Sequence, residues 1–321
     1  MNIDLLNKEI KKKTKIFCIS PIIPSFSSVL KEVDFFTENN IRIQKKLKEI
    51  VFFSCYFYCF QECNSVSLNS VNEYKIEEKQ MNKKYVVFKY LKEEKRYFID
   101  YFSSNKLYLD KKNYIRNLFI SFNQLLKITI EMNKKAICYF DWKRENIFFN
   151  EKAYIKLESF ENCIDYAFIT HEYIEKLIIN KSEKDLYYTP LEVIIIYYMI
   201  KKDYFTLSSA ILNEIYDYVK KRQFISISYP EFISLFQIYI NHSRKEIIIQ
   251  LSKYINTWDN YGLTIIYIHY LEEYIKNNPY DTKYHFIPKW LLLLKKNFSN
   301  NPLQRESLIQ TQEKFQDLFT F

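Results

Sequence analysis

Glycine is almost missing from this chain, because Gly262 is the only one among 321 residues. Average usage in proteins is about 7%. The absence excludes a G-x-G-x-x-G loop, in which glycines let backbone amides approach phosphate groups closely. It also predicts that turns needing a positive φ use Asn or Asp, which tolerate that conformation less well than glycine does.

Long apolar runs are missing as well. No stretch reaches the roughly 18 apolar residues of a membrane span, and the best candidates, Ile50 to Phe60 and Val193 to Ile200, are expected to be buried elements. Acidic residues and lysines interrupt residues 1–9, so no signal peptide is expected there. We therefore predict an intracellular, cytoplasmic protein without a membrane partner, whose six cysteines are reduced.

Metal-ligand spacings are also lacking. Cys55, Cys59 and Cys63 recur every four residues and would share one face of a helix, but no histidine lies near them in the sequence. This spacing is atypical of zinc sites. We expect a buried stripe of small apolar side chains there. The four histidines are scattered along the chain: His171, His242, His269 and His285.

Aromatic residues, isoleucine, lysine and asparagine are abundant instead, with 29 Tyr and 27 Phe. Coding bias towards A and T produces this profile, as in some large DNA viruses, parasites or endosymbionts. A viral protein would act in the host cell or the virion. The net charge is 47 − 38 = +9. Because the lysines are scattered in pairs and triplets, we interpret them as a solvated surface and do not expect nucleic acid as the partner.

One short segment contains polar residues at a spacing that is typical of a catalytic site. Asp141, Lys143 and Asn146 have the spacing D-x-K-x-x-N, followed by strand-like runs at 147–149 and 154–157. An Asp can orient a substrate hydroxyl, and an Asn can hold a metal ion that bridges phosphates. This block resembles the catalytic loop of eukaryotic-type protein kinases, H-R-D-L-x-x-x-N. The resemblance implies a serine/threonine type, in which Lys143 neutralises the transferred phosphoryl group.

Further segments resemble kinase landmarks in the same order. Residues 85–91 resemble the strand that enters the adenine-binding hinge, and 110–133 resemble the long helix before the catalytic loop. Residues 188–192 are similar to the A-P-E box, 258–262 to the D-x-W-x-x-G start of a central helix, and 301–305 to the late x-P-x-x-R. The resemblance predicts a buried ion pair between Glu192 and Arg305.

The fold class that follows is α+β, a bilobal protein-kinase-like fold. We expect a reduced N-lobe over 1–92 and a mainly helical C-lobe over 93–321, with the catalytic loop at 139–146. Apolar residues at helical spacing in 193–222 and 231–254 predict a helical insertion over about 193–255. A further helix is expected from Asn39 to Ile50. Kinases of large DNA viruses are the narrower group that the chain resembles.

Departures from the kinase pattern bear on activity. The metal-binding aspartate of D-F-G falls on Ser159, and a hydroxyl is a poor substitute for a carboxylate that binds Mg²⁺. Glu158 or Glu161 would have to replace it, but on a strand Glu158 should point away from Ser159. Tyr139 and Phe140 replace the usual His-Arg, so control through that arginine is not expected.

The phosphate-binding lysine is harder to assign. Lys31, in Val-Leu-Lys, resembles the lysine of V-A-I-K, with Glu38 as its helix partner. Seven residues is a short separation for that pair. The alternative interpretation of Lys31 is an ordinary surface lysine.

Three hypotheses remain. The favoured one is a pseudokinase, an interaction module with weak or metal-free nucleotide binding and a protein partner. The second is an active serine/threonine kinase that uses ATP and Mg²⁺ on a protein substrate. In it Asp141 and Lys143 are catalytic, Lys31, Asn146 and Ser159 occupy the nucleotide-binding positions, and Asn146 holds the metal. The third is a basic nucleic-acid-binding protein.

Overall fold

The computed structural model describes residues 17–19, 26–66, 84–103, 110–222, 226–278 and 286–318, with side chains from residue 26 onward. The N-terminal segment 1–9 and His285 lie outside the described residues. Within these limits the chain is α+β, and none of its helices combines the length and apolar content that a bilayer span requires. Two compact units are formed, one by 1–101 with 147–162 and one by 102–146 with 163–321.

The strands are short, and most of the described residues lie in helices. The strands are β1 (Phe17–Ile19), β2 (Phe26–Glu32), β3 (Glu62–Ser65), β4 (Tyr85–Leu91), β5 (Arg96–Tyr97), β6 (Ile137–Cys138), β7 (Ile147–Phe149), β8 (Ile155–Leu157) and β9 (Ile164–Asp165). The helices are α1 (Phe35–Leu47), α2 (Phe53–Tyr56), α3 (Phe98–Ser103), α4 (Lys111–Lys134), α5 (His171–Ile179), α6 (Leu191–Lys201), α7 (Ser209–Arg222), α8 (Tyr229–Phe236), α9 (Arg244–Leu251), α10 (Ile255–Asn277), α11 (Phe286–Asn297) and α12 (Leu308–Asp317).

The first unit is built on an antiparallel sheet with the strand order β1-β2-β4-β3. The predicted strand β4 is confirmed with its expected bounds, and Phe88 at its centre is fully buried. A second sheet joins β5, β7 and β8, so the predicted hairpin after Asn146 is also confirmed. Strand β4, at the centre of the first sheet, is rich in β-branched and aromatic residues, which pack well on a pleated surface.

Helix α1 begins four residues earlier than the apolar spacing predicted. The Asp34 carboxylate accepts a hydrogen bond from the Thr37 amide at 2.7 Å and so fixes the start of the helix. The helix ends at Leu47, before the predicted Ile50. The cap, and not the apolar spacing, determines where α1 begins. Apolar spacing identifies only the residues on the buried face of a helix, so it does not locate the first turn.

The segment after α1 contradicts two expectations. Val51 and Phe52 are each 72% exposed, so the apolar run from Ile50 to Phe60 is not a continuous buried element. Nor do the cysteines form a helical stripe, because α2 ends at Tyr56 and the chain then turns towards β3. In contrast, the second apolar run, Val193 to Ile200, lies in α6 and is almost entirely buried.

The second unit is organised by α4 and α10, which pack against each other. The predicted helix over 110–133 is confirmed as α4, with Asp110 as its N-cap. Helix α10 contains the predicted start at Trp258 and begins three residues before it, at Ile255. Aromatic rings fill the space between these helices and their neighbours: Phe119, Phe122, Tyr267, Trp290 and Phe315. The core of this unit is therefore largely aromatic, as the composition suggested.

The material between α6 and α10 is helical, but each predicted stretch is divided in two. The first stretch breaks after α6, where Asp203 adopts a positive φ of 53°. The second breaks between α8 and α9, where Asn241 has φ 69°. Positive φ ends a right-handed helix, and the apolar spacing alone did not reveal these turns.

The ion pair predicted between Glu192 and Arg305 is confirmed. Two parallel hydrogen bonds join the guanidinium to the carboxylate at 2.8 and 2.9 Å, and both side chains are fully buried. Arg305 also donates to the Thr257 hydroxyl at 3.1 Å and to the Ser299 carbonyl at 2.8 Å. The pair thus ties the start of α6 to the turn before α12.

The expectation that Asn and Asp occupy the positive-φ positions is wrong for most of them. Among the described residues, Asp203 and Asn241 fit it, and the other positive-φ residues are Phe52, Ala136, Phe140, Ala153 and Ser159. A residue held in this region costs on the order of 1–3 kcal/mol and persists only where its surroundings fix it. Each of these five non-Asn, non-Asp positions is therefore a candidate site of backbone strain.

Ala153 offers a direct test of this strain. It is exposed in the turn between β7 and β8 and has φ 59°. Replacing it by glycine removes the clash of Cβ with the backbone, so we expect the free energy of unfolding in urea to rise by about 1 kcal/mol. The matched control is Ala210→Gly in helix α7, where the same change should lower stability by up to about 1 kcal/mol. Equal effects at both sites would contradict the strain.

Candidate functional site

The structure brings Asp141, Lys143 and Asn146 together in the second unit. The Asn146 amide donates to Asp141 Oδ2 at 3.1 Å, and the Lys143 ammonium lies 3.2 Å from Asp141 Oδ1. The Asn146 amide also lies 3.1 Å from the Asp141 carbonyl, which closes the short loop on itself. The side chain of Asp141 is only 3% exposed. The predicted residues thus form one compact polar cluster.

Asp259, a residue of helix α10, forms hydrogen bonds with this loop. Its carboxylate accepts hydrogen bonds from the amides of Tyr139 (2.9 Å) and Phe140 (3.0 Å) and from Trp142 Nε1 (2.8 Å). Phe140 has φ 59°, and in this conformation its amide reaches the Asp259 carboxylate. Burial raises the pKa of Asp259 above its ordinary value, although the three hydrogen bonds act in the opposite direction. Sequence analysis placed Asp259 only at a helix start and missed this role.

Close packing against Trp142 explains why residue 262, the only glycine in the sequence, has no side chain. A Cβ built on it would lie 2.4 Å from Cδ1 of Trp142 and 2.7 Å from Cγ. Helix α10 therefore approaches the loop so closely that no side chain fits between them. The indole that needs this space is the one that donates to Asp259.

Gly262→Ala is therefore expected to destabilise the protein. The gain in helix propensity is about 1 kcal/mol, but overpacking against a fixed indole costs about 1–3 kcal/mol. We expect a net loss of up to about 2 kcal/mol in thermal unfolding. In Gly262→Ala/Trp142→Leu the clash is relieved, so adding the alanine to Trp142→Leu should be neutral or stabilising. An equal loss in both backgrounds would contradict the steric explanation.

Lys181 was missed by sequence analysis. Its ammonium lies 3.5 Å from Asp141 Oδ1, donates to the Phe140 carbonyl at 3.0 Å and sits 4.0 Å from the centroid of the Phe140 ring. Only 3% of its side chain is exposed. Burial lowers the pKa of Lys181, and the Asp141 carboxylate partly offsets this effect. No local signal distinguishes it, since it follows α5 in a polar turn that also contains Lys184.

Asp185 completes the cluster. The ammonium of Lys143 lies between two carboxylates, 3.2 Å from Asp141 and 3.1 Å from Asp185. Burial opposes the charge on Lys143, but the two carboxylates together raise its pKa. Within the cluster, the Asp141 carboxylate lies between two ammonium groups, those of Lys143 and Lys181. Such a group can accept a hydrogen bond from a hydroxyl and can neutralise an adjacent anion.

The first unit contains a separate cavity of about 440 Å³, which includes two of the remaining predicted residues. Lys31 lines it and lies 3.9 Å from the carboxylate of Glu161. About a fifth of the Lys31 side chain is exposed, so both interpretations of this lysine stay open. Glu38, the helix partner suggested for it, is exposed to solvent, because α1 turns that position outward. The lining residues are Ser27, Val29, Lys31, Asn40, Gln44, Tyr58, Tyr90, Lys95, Glu158, Ser159, Phe160 and Glu161.

Ser159 corrects a further expectation. It follows β8 with φ 65°, so the alternation of a strand does not continue through it. Glu158 and Ser159 consequently line the same cavity, although we expected them to point apart. The carboxylate of Glu158 is bonded to Lys95 at 2.5 Å. Each acid beside Ser159 therefore has a lysine partner.

No group of three or more metal-binding side chains occurs among the residues that the structure describes. Cys59 is buried, which raises the pKa of its thiol to about 12, and the thiolate is the form that binds metals. Asn146 is half-buried and has its amide nitrogen directed at Asp141. Within the described residues, its side chain therefore faces a carboxylate and not a group of further metal ligands.

Comparisons with known proteins assign no family to the chain, because no family model and no curated protein matches it.

Proposed function

We propose that this protein is a pseudokinase, a kinase-derived interaction module in which phosphotransfer is lost or very weak. One observation carries the proposal. The cluster of Asp141, Lys143 and Asn146 is kept, whereas the metal-binding position is Ser159 and the acids on either side of it are already paired with lysines.

Kinase ancestry is supported by the order and contacts of the elements. A long helix precedes the loop, a short hairpin follows it, and the buried pair between Glu192 and Arg305 matches the one that the resemblance predicts. The carboxylate of Asp259 fixes the loop from the central helix α10. The helix, the hairpin and the ion pair are the features that the resemblance predicts, and they come from separate parts of the sequence.

Loss of activity is supported by electrostatics. Phosphoryl transfer depends on metal ions that neutralise the charge on the phosphates, and Mg²⁺ requires carboxylate or other oxygen ligands at near-ideal geometry. Recruiting Glu158 would break its bond to Lys95, which is 2.5 Å long and mostly shielded from solvent. Losing this neutralisation corresponds to a rate reduction on the order of 10³-fold or more.

Nucleotide binding is also expected to be weak, because Tyr58 lies beside the chain segment that the resemblance assigns to the hinge. Its hydroxyl donates to the Leu91 carbonyl at 2.9 Å. Its ring stacks on Tyr90 with centroids 5.2 Å apart, and the Lys95 ammonium lies 3.5 Å from its centroid. A purine that used the same carbonyl would have to displace this ring.

Tyr58→Ala should therefore raise the affinity for ATP in the absence of metal by roughly tenfold, since it frees the Leu91 carbonyl and one wall of the cavity. Calorimetric titration measures the change. Tyr58→Phe is the control, because it keeps the ring and removes only the hydroxyl, and it should bind about as weakly as the natural chain. Equal affinity in all three proteins would contradict the role of the ring.

The experiment that tests the proposed function is phosphotransfer. The protein and its Asp141→Asn variant are incubated with labelled ATP, a generic basic acceptor protein, and Mg²⁺ or Mn²⁺. We expect labelling at the level of the variant with either metal. Labelling that the natural chain supports and Asp141→Asn abolishes would overturn the proposal.

That second outcome would establish the alternative, an active serine/threonine kinase. The specific observation in its favour is the intact polar cluster, in which Asp141 is held by Asn146 and flanked by Lys143. In that case ATP would be the phosphate donor, and Asn146 would be the metal ligand that the resemblance implies. Ser159→Asp should then increase the rate, because it supplies the missing carboxylate.

A further inference from the structure

A cavity of about 460 Å³ opens beside the polar cluster of the second unit. Lys143 and Asp185 belong to both the cluster and the cavity wall. The rest of the wall comes from the end of the loop, from the turn after α5 and from α10: Arg144, Glu145, Ser182, Lys184, Tyr187, Tyr188, Ile265, Ile266 and His269. The proposed function does not use this space.

Some charged side chains of the cavity wall have a partner of opposite charge, and others do not. The Asp185 carboxylate is occupied by the Lys143 ammonium at 3.1 Å and by the Ser182 amide at 2.9 Å. Arg144 and Lys184, in contrast, have no carboxylate partner within the part of the chain that the structure describes. Two positive side chains are therefore available to a ligand.

Arg144 is the more informative of the two because it is half-buried. Its polar neighbours are the hydroxyls of Tyr188 and Tyr270, which are neutral, and the Tyr270 ring lies 5.8 Å from its guanidinium carbon. Its Nε atom is buried and has no hydrogen-bond partner. Burying a guanidinium without a counter-ion is unfavourable. An anion in the cavity would remove this penalty and would find donors already in place.

The lining of the cavity fits a side chain on a peptide. Ile265 and Ile266 contribute buried apolar surface to it, and Tyr187 contributes a ring that is 42% exposed. Aliphatic and aromatic surface of this kind fits the methylene groups and flanking residues of a peptide. Glu145 also lines the cavity and is exposed. Its negative charge disfavours a doubly charged phosphate more than a singly charged carboxylate.

We propose that this cavity binds an acidic side chain of a partner protein, with the Arg144 guanidinium as its anchor and Lys184 as a second cation at the edge. The proposal rests on the proposed function in one respect, since it takes a protein segment as the ligand. It adds the chemistry of the segment and the residues that select it.

The test uses immobilised peptides in sets of three that differ only at a central Glu, Gln or phosphoserine. The full-length natural chain should be retained roughly tenfold more by Glu peptides than by their Gln twins, as expected for a charge-assisted bond. Arg144→Gln should reduce that ratio to about one. The matched control is Lys127→Gln, an exposed lysine of α4 outside the cavity, which loses the same charge and should keep the ratio.

Several outcomes would overturn the proposal: equal retention of Glu and Gln peptides by the natural chain, an unchanged ratio in Arg144→Gln, or a preference for phosphoserine over Glu. Thermal melting checks that the variants fold. If Arg144→Gln does not fold, Lys184→Gln replaces it, with an expected reduction of roughly threefold. Phosphotransfer is not read in this assay, so the proposed function can fail while the peptide preference stands, and the reverse.

Discussion

Arg305→Met is expected to lower the free energy of unfolding by about 3–5 kcal/mol, because it leaves the Glu192 carboxylate buried without a counter-ion. Both members of the pair have no exposed side-chain surface, and two hydrogen bonds of 2.8 and 2.9 Å join them. The variant also loses the bonds to Thr257 and Ser299. Urea unfolding of the full chain measures the change.

Arg222→Met is the matched control. Arg222 pairs with Glu183, but 45% and 31% of their side-chain surfaces are exposed, so its loss should change stability by about 0–1 kcal/mol. A double replacement, Glu192→Leu with Arg305→Met, should recover part of the loss because no charge then remains buried. If the single and double variants were equally unstable, packing of the arginine stem would be the main contribution instead of charge.

Asp259→Ala is expected to cost about 3–5 kcal/mol, because the amides of Tyr139 and Phe140 and the Trp142 indole lose their acceptor at once. Each buried donor without a partner costs about 1–3 kcal/mol. The loop that carries Asp141 should also become less ordered, since the positive φ of Phe140 is strained and loses one of the contacts that support it. Thermal and urea unfolding measure the first effect.

Two further variants test whether the loss of stability in Asp259→Ala comes from the missing hydrogen-bond acceptor. Asp217→Ala removes an exposed carboxylate from α7 and should change stability by no more than about 0.5 kcal/mol. Asp259→Asn keeps one acceptor oxygen and should fall between the alanine variant and the natural chain. A loss below about 1 kcal/mol for Asp259→Ala would show that water or a rearranged loop satisfies the three donors.

Strand β4, helix α4 and the pair of Glu192 and Arg305 could be predicted from the sequence. The first two rest on local periodicity over a whole element, which a single sequence displays directly. The ion pair rests on the family resemblance, because its members lie far apart in the chain and neither has a local signal. The cluster of Asp141, Lys143 and Asn146 was predictable for a different reason: all its members lie within six residues.

Lys181, Asp185 and the supporting role of Asp259 could not be predicted. Each reaches the loop from a distant segment, so its partner is set by tertiary packing and not by neighbours in the sequence. The positions of positive φ were mispredicted for the same reason. Propensity favours Asn and Asp there, but contacts made elsewhere place Phe140 and Ser159 in that conformation.

The hydrogen bonds that Asp259 accepts from the loop should affect how fast the loop amides exchange with deuterium. Amides in an irregular loop usually exchange quickly with deuterium, through small local openings. The amides of Tyr139 and Phe140 instead point into the core and end on a carboxylate of the central helix. They should exchange as slowly as the middle of helix α10, so that this loop and the helix report a single opening event.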